Sequence, residues 1–186
     1  MTRDEVENAI LNARRGIARY AEIMNLFPTV DVSSDRDFQR KYNGFYRVQR
    51  RKEEWYQAYY SLMQGLKGKP VSFDLVIDKI FDETNRVEPS FSSKLVATLN
   101  PKKPVWDIYV LQNTKHKAPS YANKARITLI KTAYRSIEQW YEKFLDSADG
   151  RLCVKIFDEK IPEHKGFTDL KKVDFVLWQT RPPRSK

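Results

Sequence analysis

Two side chains in the segment Phe91–Val110 have the types and spacing that could carry chemistry. Lys94 stands where a short helix is predicted to begin, and Asp107 stands where the next one opens. Pro101 and Pro104 bound the turn between them. An amine can attack an electrophilic carbon, and a carboxylate can move a proton or stabilise a neighbouring cation. The same positions also suit ordinary helix-end roles. An Asp at an N-cap stabilises its helix by about 1 kcal/mol without catalysing anything, and a lysine can simply face solvent. From the residues alone both readings stay open.

Little else in the chain competes with this pair. There is no Ser-His-Asp pattern, no P-loop and no Gly-rich dinucleotide fingerprint. His116 and His164 have no metal-ligand spacing with each other or with Cys153. Asp158 and Glu159 form an isolated acidic pair that reads as solvated. The residue pattern therefore names no metal and no cofactor.

The elements that must position these residues are helical. Apolar residues at helical spacing predict a helix over 3–27, capped by Thr2 with Glu5 in a capping box and ended by Pro28. A long helical stretch is expected over 36–66, bent at Gly44, with Arg47, Arg50, Arg51 and Lys52 near Tyr46 and Trp55. Gly65–Pro70 breaks the chain, and Ser72 caps a helix running to about Thr84. After the Phe91–Val110 segment come a basic loop at 115–119 and a long helix over 120–146. Asp149 and Gly150 read as a stop, 151–160 as a short helix or strand, and 161–166 as a loop. Thr168 caps a last helix, followed by a basic tail at 181–186. The expectation is an all-α, single-domain bundle of seven or eight helices over 1–180, with a sub-boundary near 66–70.

Composition narrows the partner. The chain has 186 residues, 41% of them hydrophobic, which suffices for a real core. Its net charge is +10 and its pI about 9.6, which favours a polyanionic partner, most often nucleic acid. Ten Tyr, ten Phe and four Trp can fill helix interfaces or stack on bases. The single Cys153 rules out an internal disulfide and any Cys-based zinc or iron–sulfur site. No apolar run reaches the roughly 18 residues of a membrane span. The opening residues do not read as a signal peptide, so a reducing, cytoplasmic setting with no membrane partner is expected.

The order Ser93-Lys94-Leu95-Val96-Ala97, then Pro104-Val105-Trp106-Asp107-Ile108-Tyr109-Val110, resembles the catalytic segment of the helix-hairpin-helix DNA glycosylase superfamily. It is most similar to a compact branch with an 8-oxoguanine-glycosylase-like fold. The resemblance covers roughly residues 72–113, and Asp169–Gln179 also looks like the end of such proteins. It implies that Lys94 is the nucleophile that attacks the sugar C1′ and forms a Schiff base. Asp107 would then be the electrostatic or acid–base partner. The target base would leave the stack for an aromatic pocket, to which Phe91, Trp106 and Tyr109 are close in sequence. The stretch Val87–Ser93 lacks the glycines of the family's phosphate-gripping hairpin.

Phosphates would be met by Arg47, Arg50, Arg51, Lys102, Lys103, Lys115, Lys117, Lys124 and Arg126. Two rivals stand beside a glycosylase or lyase acting on DNA. One is a non-enzymatic phage or mobile-element protein on the same scaffold. It would bind nucleic acid or a nucleoprotein nuclease, such as a CRISPR effector, and block it. The other is an interaction domain that touches no nucleic acid.

Overall fold

The computed structural model describes residues 1–180, so the basic tail expected at 181–186 lies outside the described residues. These residues are all-helical: nine α-helices, one short 3-10 turn at Pro162–His164, and no strand among them. The helices are α1 (Arg3–Leu26), α2 (Arg36–Tyr46), α3 (Glu53–Leu66), α4 (Phe73–Thr84), α5 (Pro89–Leu99), α6 (Ile108–Asn113), α7 (Arg126–Leu145), α8 (Ala148–Lys160) and α9 (Asp169–Gln179). No helix among the described residues is long and apolar enough to cross a membrane.

Capping chemistry sets most helix starts. Asp35, Ser72, Asp107, Ser147 and Thr168 each accept a backbone N–H from the first turn of α2, α4, α6, α8 and α9. Thr2 and Glu5 form the reciprocal capping box at the start of α1, with hydrogen bonds of 3.2 and 2.8 Å.

The chain divides into two compact units. The first comprises Met1–Arg14 and the chain from Pro101 onward, and the second is Arg15–Asn100. The stretch 66–70 lies inside the second unit.

In the first unit, α9 packs against α6, α7 and α8. Residues 170–177 of α9 are buried without interruption, so its polar residues there need partners. Ile130, Ile137, Ile156, Phe157, Val173 and Val176 supply the apolar core. Asn113 donates to the carbonyls of Leu177 and Thr180 and so closes the end of α9. Cys153 is buried in α8, and that burial pushes its thiol up to about 11.

The second unit is held by aromatics. Phe38, Tyr42, Trp55, Tyr59 and Tyr60 are all buried. The Tyr59 hydroxyl donates to the Phe91 carbonyl at 2.9 Å and lies 2.9 Å from that of Tyr42, which leaves Tyr42 as the donor between them. Tyr60 donates to Asn43 Oδ1 at 2.7 Å. Burial raises all three tyrosines well above the ordinary range, so their protons stay in these bonds at any physiological pH.

Several expected boundaries move. The stretch 36–66 is two helices, not one bent at Gly44. Arg47 adopts a left-handed conformation (φ 54°), and the backbone N–H groups of Arg47 and Val48 both turn back to the Asn43 carbonyl. Val48 is buried in the core, and Tyr56 donates to its carbonyl at 3.0 Å. Its apolar side chain therefore plugs the loop between α2 and α3. The expected helix over 120–146 begins only at Arg126, and Leu129 in its first turn is exposed.

Asp149 and Gly150 do not end a helix but lie inside the first turn of α8, and 151–160 is helical. A Cβ on Gly150 would fall 1.9 Å from the Phe144 carbonyl oxygen, since the α7–α8 junction folds that carbonyl onto the new helix. Replacing Gly150 by alanine is expected to destabilise the fold by about 2 kcal/mol or more, read as a lower urea midpoint at unchanged slope. Gly65→Ala, inside α3 where a Cβ meets nothing within 4 Å, serves as the control and is expected to leave the midpoint unchanged or slightly raised.

Candidate functional site

Lys94 lies in the second unit. It is not at a helix start, because α5 begins at Pro89, whose fixed φ suits the first helical turn. The hydroxyls of Ser92 and Ser93 donate back to the carbonyls of Glu88 and Ser90. Lys94 is only 8% exposed, and its Nζ lies 5.2 Å from the centroid of the Phe91 ring, one turn earlier. The Arg51 guanidinium approaches the same ring at 5.0 Å and pairs with Glu88 at 2.7 Å. Phe91 is thus a half-buried ring carrying two cations, a favourable arrangement for the ring's negative face. Arg47 and Arg50 are exposed, and both have left-handed backbones.

Asp107 lies in the first unit. Its Oδ1 accepts the Tyr109 backbone N–H at 2.8 Å, so it is the N-cap of α6. Trp106 is buried and Tyr109 is half-buried. Lys102 is exposed, and Lys103 pairs with Glu138 at 2.8 Å. Lys115, Lys117 and Lys124 are exposed on the stretch between α6 and α7, and Arg126 opens α7. The structure therefore places Phe91, Arg47, Arg50, Arg51 and Lys94 in one unit. Trp106, Asp107, Tyr109 and the remaining cations lie in the other.

Two features of the first unit escape the sequence reading. Tyr121 is 88% exposed, and the Arg126 guanidinium lies 4.0 Å from its ring centroid. Ser120–Ala125 is not helical, so this aromatic stands on a basic loop instead of a buried stripe. Its one sequence signal is its place after Pro119, outside the apolar periodicity of α7.

The second feature is a buried polar cluster. Lys171 Nζ meets Asp174 Oδ2 at 2.7 Å, and Tyr141 donates to Asp174 Oδ1 at 2.9 Å. Next to it, Lys172 bridges Asp158 at 2.9 Å and Asp169 at 3.2 Å. Asp158 is therefore ion-paired, and so is Glu159, which meets Arg3 at 2.6 Å. Burial raises the Asp174 carboxyl above its ordinary value against the opposing pull of Lys171, and Asp107 adds its charge to that rise. Among the described residues no group of three or more His, Cys, Asp or Glu could hold a metal ion.

Comparison with protein-family models, with curated proteins and with solved structures gives no match.

The Asp174 shift has a definite sign. Its folded-state pKa lies above the ordinary 3.8, so the folded chain holds this proton more tightly than the unfolded one. The stability contributed by the group is complete below about pH 3.8 and is lost as pH rises through the folded value. In urea titrations the stability advantage of the wild type over Asp174→Asn should therefore be largest at acid pH and shrink as pH rises. An advantage that grows with pH would contradict burial as the dominant cause.

Proposed function

We propose that this chain is a nucleic-acid-binding protein, DNA being the first partner to test, and that it engages unpaired bases through the Tyr121 loop. The observation that carries the reading is an almost fully exposed tyrosine on a strongly basic loop. An exposed aromatic ring leaves a face wet at a cost in hydration that a stacked base removes, and such stacking contributes about 1–3 kcal/mol per base. Arg126 against the ring adds a cation that can also meet a phosphate. Lys115, Lys117 and Lys124 supply sequence-independent attraction to the backbone, in keeping with the net charge of +10.

Binding to a labelled single strand, followed by anisotropy at several salt concentrations, tests this. Tyr121→Ala is expected to weaken binding by at least about fivefold, the lower end of one base stack, while Tyr121→Phe retains it. Replacing Lys115, Lys117 and Lys124 together by glutamine should reduce the slope of log K against log salt by roughly 2, at about 0.7 per lost phosphate contact on a single strand. Salt-independent binding, or none at low salt, would defeat the proposal.

A second reading adds base excision on a glycosylase-like fold. The observation favouring it is Lys94, the one buried lysine among the described residues of the second unit. An amine withdrawn from water beside an aromatic ring is suited to attack the C1′ of a flipped nucleotide and form a Schiff base. Borohydride reduction in the presence of damaged or abasic strands should then trap a covalent adduct with the wild type and none with Lys94→Ala. Strand binding without an adduct across a broad lesion panel would instead fit a binding protein that works by occupation, including the nuclease-blocking version.

A further inference from the structure

A cleft of about 550 Å³ in the second unit is lined by Arg50, Arg51, Lys52, Trp55, Thr84 and Arg86, with Glu54 and Glu83 at its walls. Its volume falls within the roughly 300–1,000 Å³ of small-molecule sites. Four cationic and two anionic side chains line it, and Glu88 pairs with Arg51, so a local positive surplus remains on the open cations Arg50, Lys52 and Arg86. Arg50, Lys52 and Arg86 form no ion pair among the described residues, whereas the Arg51 guanidinium is held in place on three sides. Its Nη2 meets Glu88 at 2.7 Å, its Nη1 donates to the Arg50 carbonyl at 3.0 Å, and it lies 5.7 Å from the Trp55 ring centroid.

Two further facts point to a missing acceptor. Arg51 Nε and Trp55 Nε1 are both buried donors with no hydrogen-bond partner, and Trp55 itself is only 6% exposed. A buried N–H without an acceptor is costly and rare in native proteins. In addition, α3 starts at this cleft with Lys52 in the N-cap position and no side-chain cap, so the orphan N–H groups of its first turn add positive potential. Trp55 cannot serve as a base platform here, because one face stacks on Tyr59 at 4.9 Å and Arg51 approaches the ring.

We propose that this cleft binds a phosphomonoester dianion, either a free phosphate species or the terminal phosphate of a nucleic-acid strand. The open cations Arg50, Lys52 and Arg86 and the uncapped start of α3 can meet the three free oxygens of a phosphomonoester, of which an internal phosphodiester has only two. Arg51 is already oriented, and a small adjustment of its side chain and of Trp55 would open their buried Nε and Nε1 donors to an entering phosphate. Arg50, Lys52 and Arg86 close around the remaining oxygens. The site does not involve the Tyr121 loop, so loss of strand binding in Tyr121→Ala leaves it testable.

The test follows the indole N–H signals of the four tryptophans in nitrogen-15 labelled protein, with Trp55 assigned by Trp55→Phe. The probes are inorganic phosphate, a 5′-phosphorylated oligonucleotide and the same strand with a 5′-hydroxyl. The expected result is a saturable shift of the Trp55 indole with a phosphomonoester probe and not with the 5′-hydroxyl strand. Arg50→Gln and Arg86→Gln, both at exposed positions, should weaken it at least tenfold. A response to inorganic phosphate marks a free-phosphate site, and a response to the phosphorylated strand alone marks recognition of a strand end. The proposal is overturned if neither phosphomonoester gives a saturable shift, if the 5′-hydroxyl strand shifts the signal equally, or if both variants bind as the wild type does.

Discussion

The pairing of Lys171 with Asp174 is the constraint on which the first unit depends. Eight consecutive residues of α9 are buried, and two of the first three are lysines. A helix cannot be sunk on every face with bare ammonium groups, because the desolvation would exceed anything the apolar contacts return. The i,i+3 spacing brings Asp174 onto the Lys171 amine, and Tyr141 of α7 satisfies the other carboxylate oxygen. Lys172 turns to Asp158 and Asp169 instead. These directed bonds admit one rotation of α9 against α7 and α8. Rotating the helix would leave a charge stranded in the core, whereas apolar packing alone would tolerate several settings.

The second unit reaches the same end with hydroxyls. The Tyr42–Tyr59–Phe91 relay ties α2, α3 and α5 together through bonds of 2.9 Å. It also fixes what faces outward. With Val48 buried and its carbonyl bound by Tyr56, the 47–52 loop has no freedom to continue as helix, and its arginines are presented on an anchored turn. Arg51 is then braced by two rings and a carboxylate. Rigid support beneath a charged side chain lowers the entropy lost when it meets a ligand.

Much of the helical order was legible in the sequence because capping residues announce helix starts chemically. Thr2, Ser72, Asp107 and Thr168 each do in the fold what their type and position imply. The misses have a common cause: residues whose local preference is overridden by a contact distant in sequence or by junction geometry. The stretch expected as one helix is broken where buried Val48 plugs the loop and Tyr56 binds its carbonyl. Gly150 looked like a terminator and is instead the residue small enough to let the Phe144 carbonyl approach. Lys94 is the exception, with a local cause: Pro89 begins the helix five residues before it. Of the site, the basic residues could be listed from sequence, since charge needs no fold to be counted. Tyr121 and the Lys171–Asp174 pair could not be singled out, because exposure and burial are properties of the packed chain.

The sealed state of Cys153 has a practical side. A thiol that titrates near 11 and sits in the core offers almost no thiolate to an alkylating reagent at neutral pH. As it is the chain's single cysteine, the native sequence already provides a silent background. One cysteine introduced on either unit would be the sole reactive handle for a fluorophore or spin label. The surroundings and mobility of that position could then be read without first removing a native residue from the core.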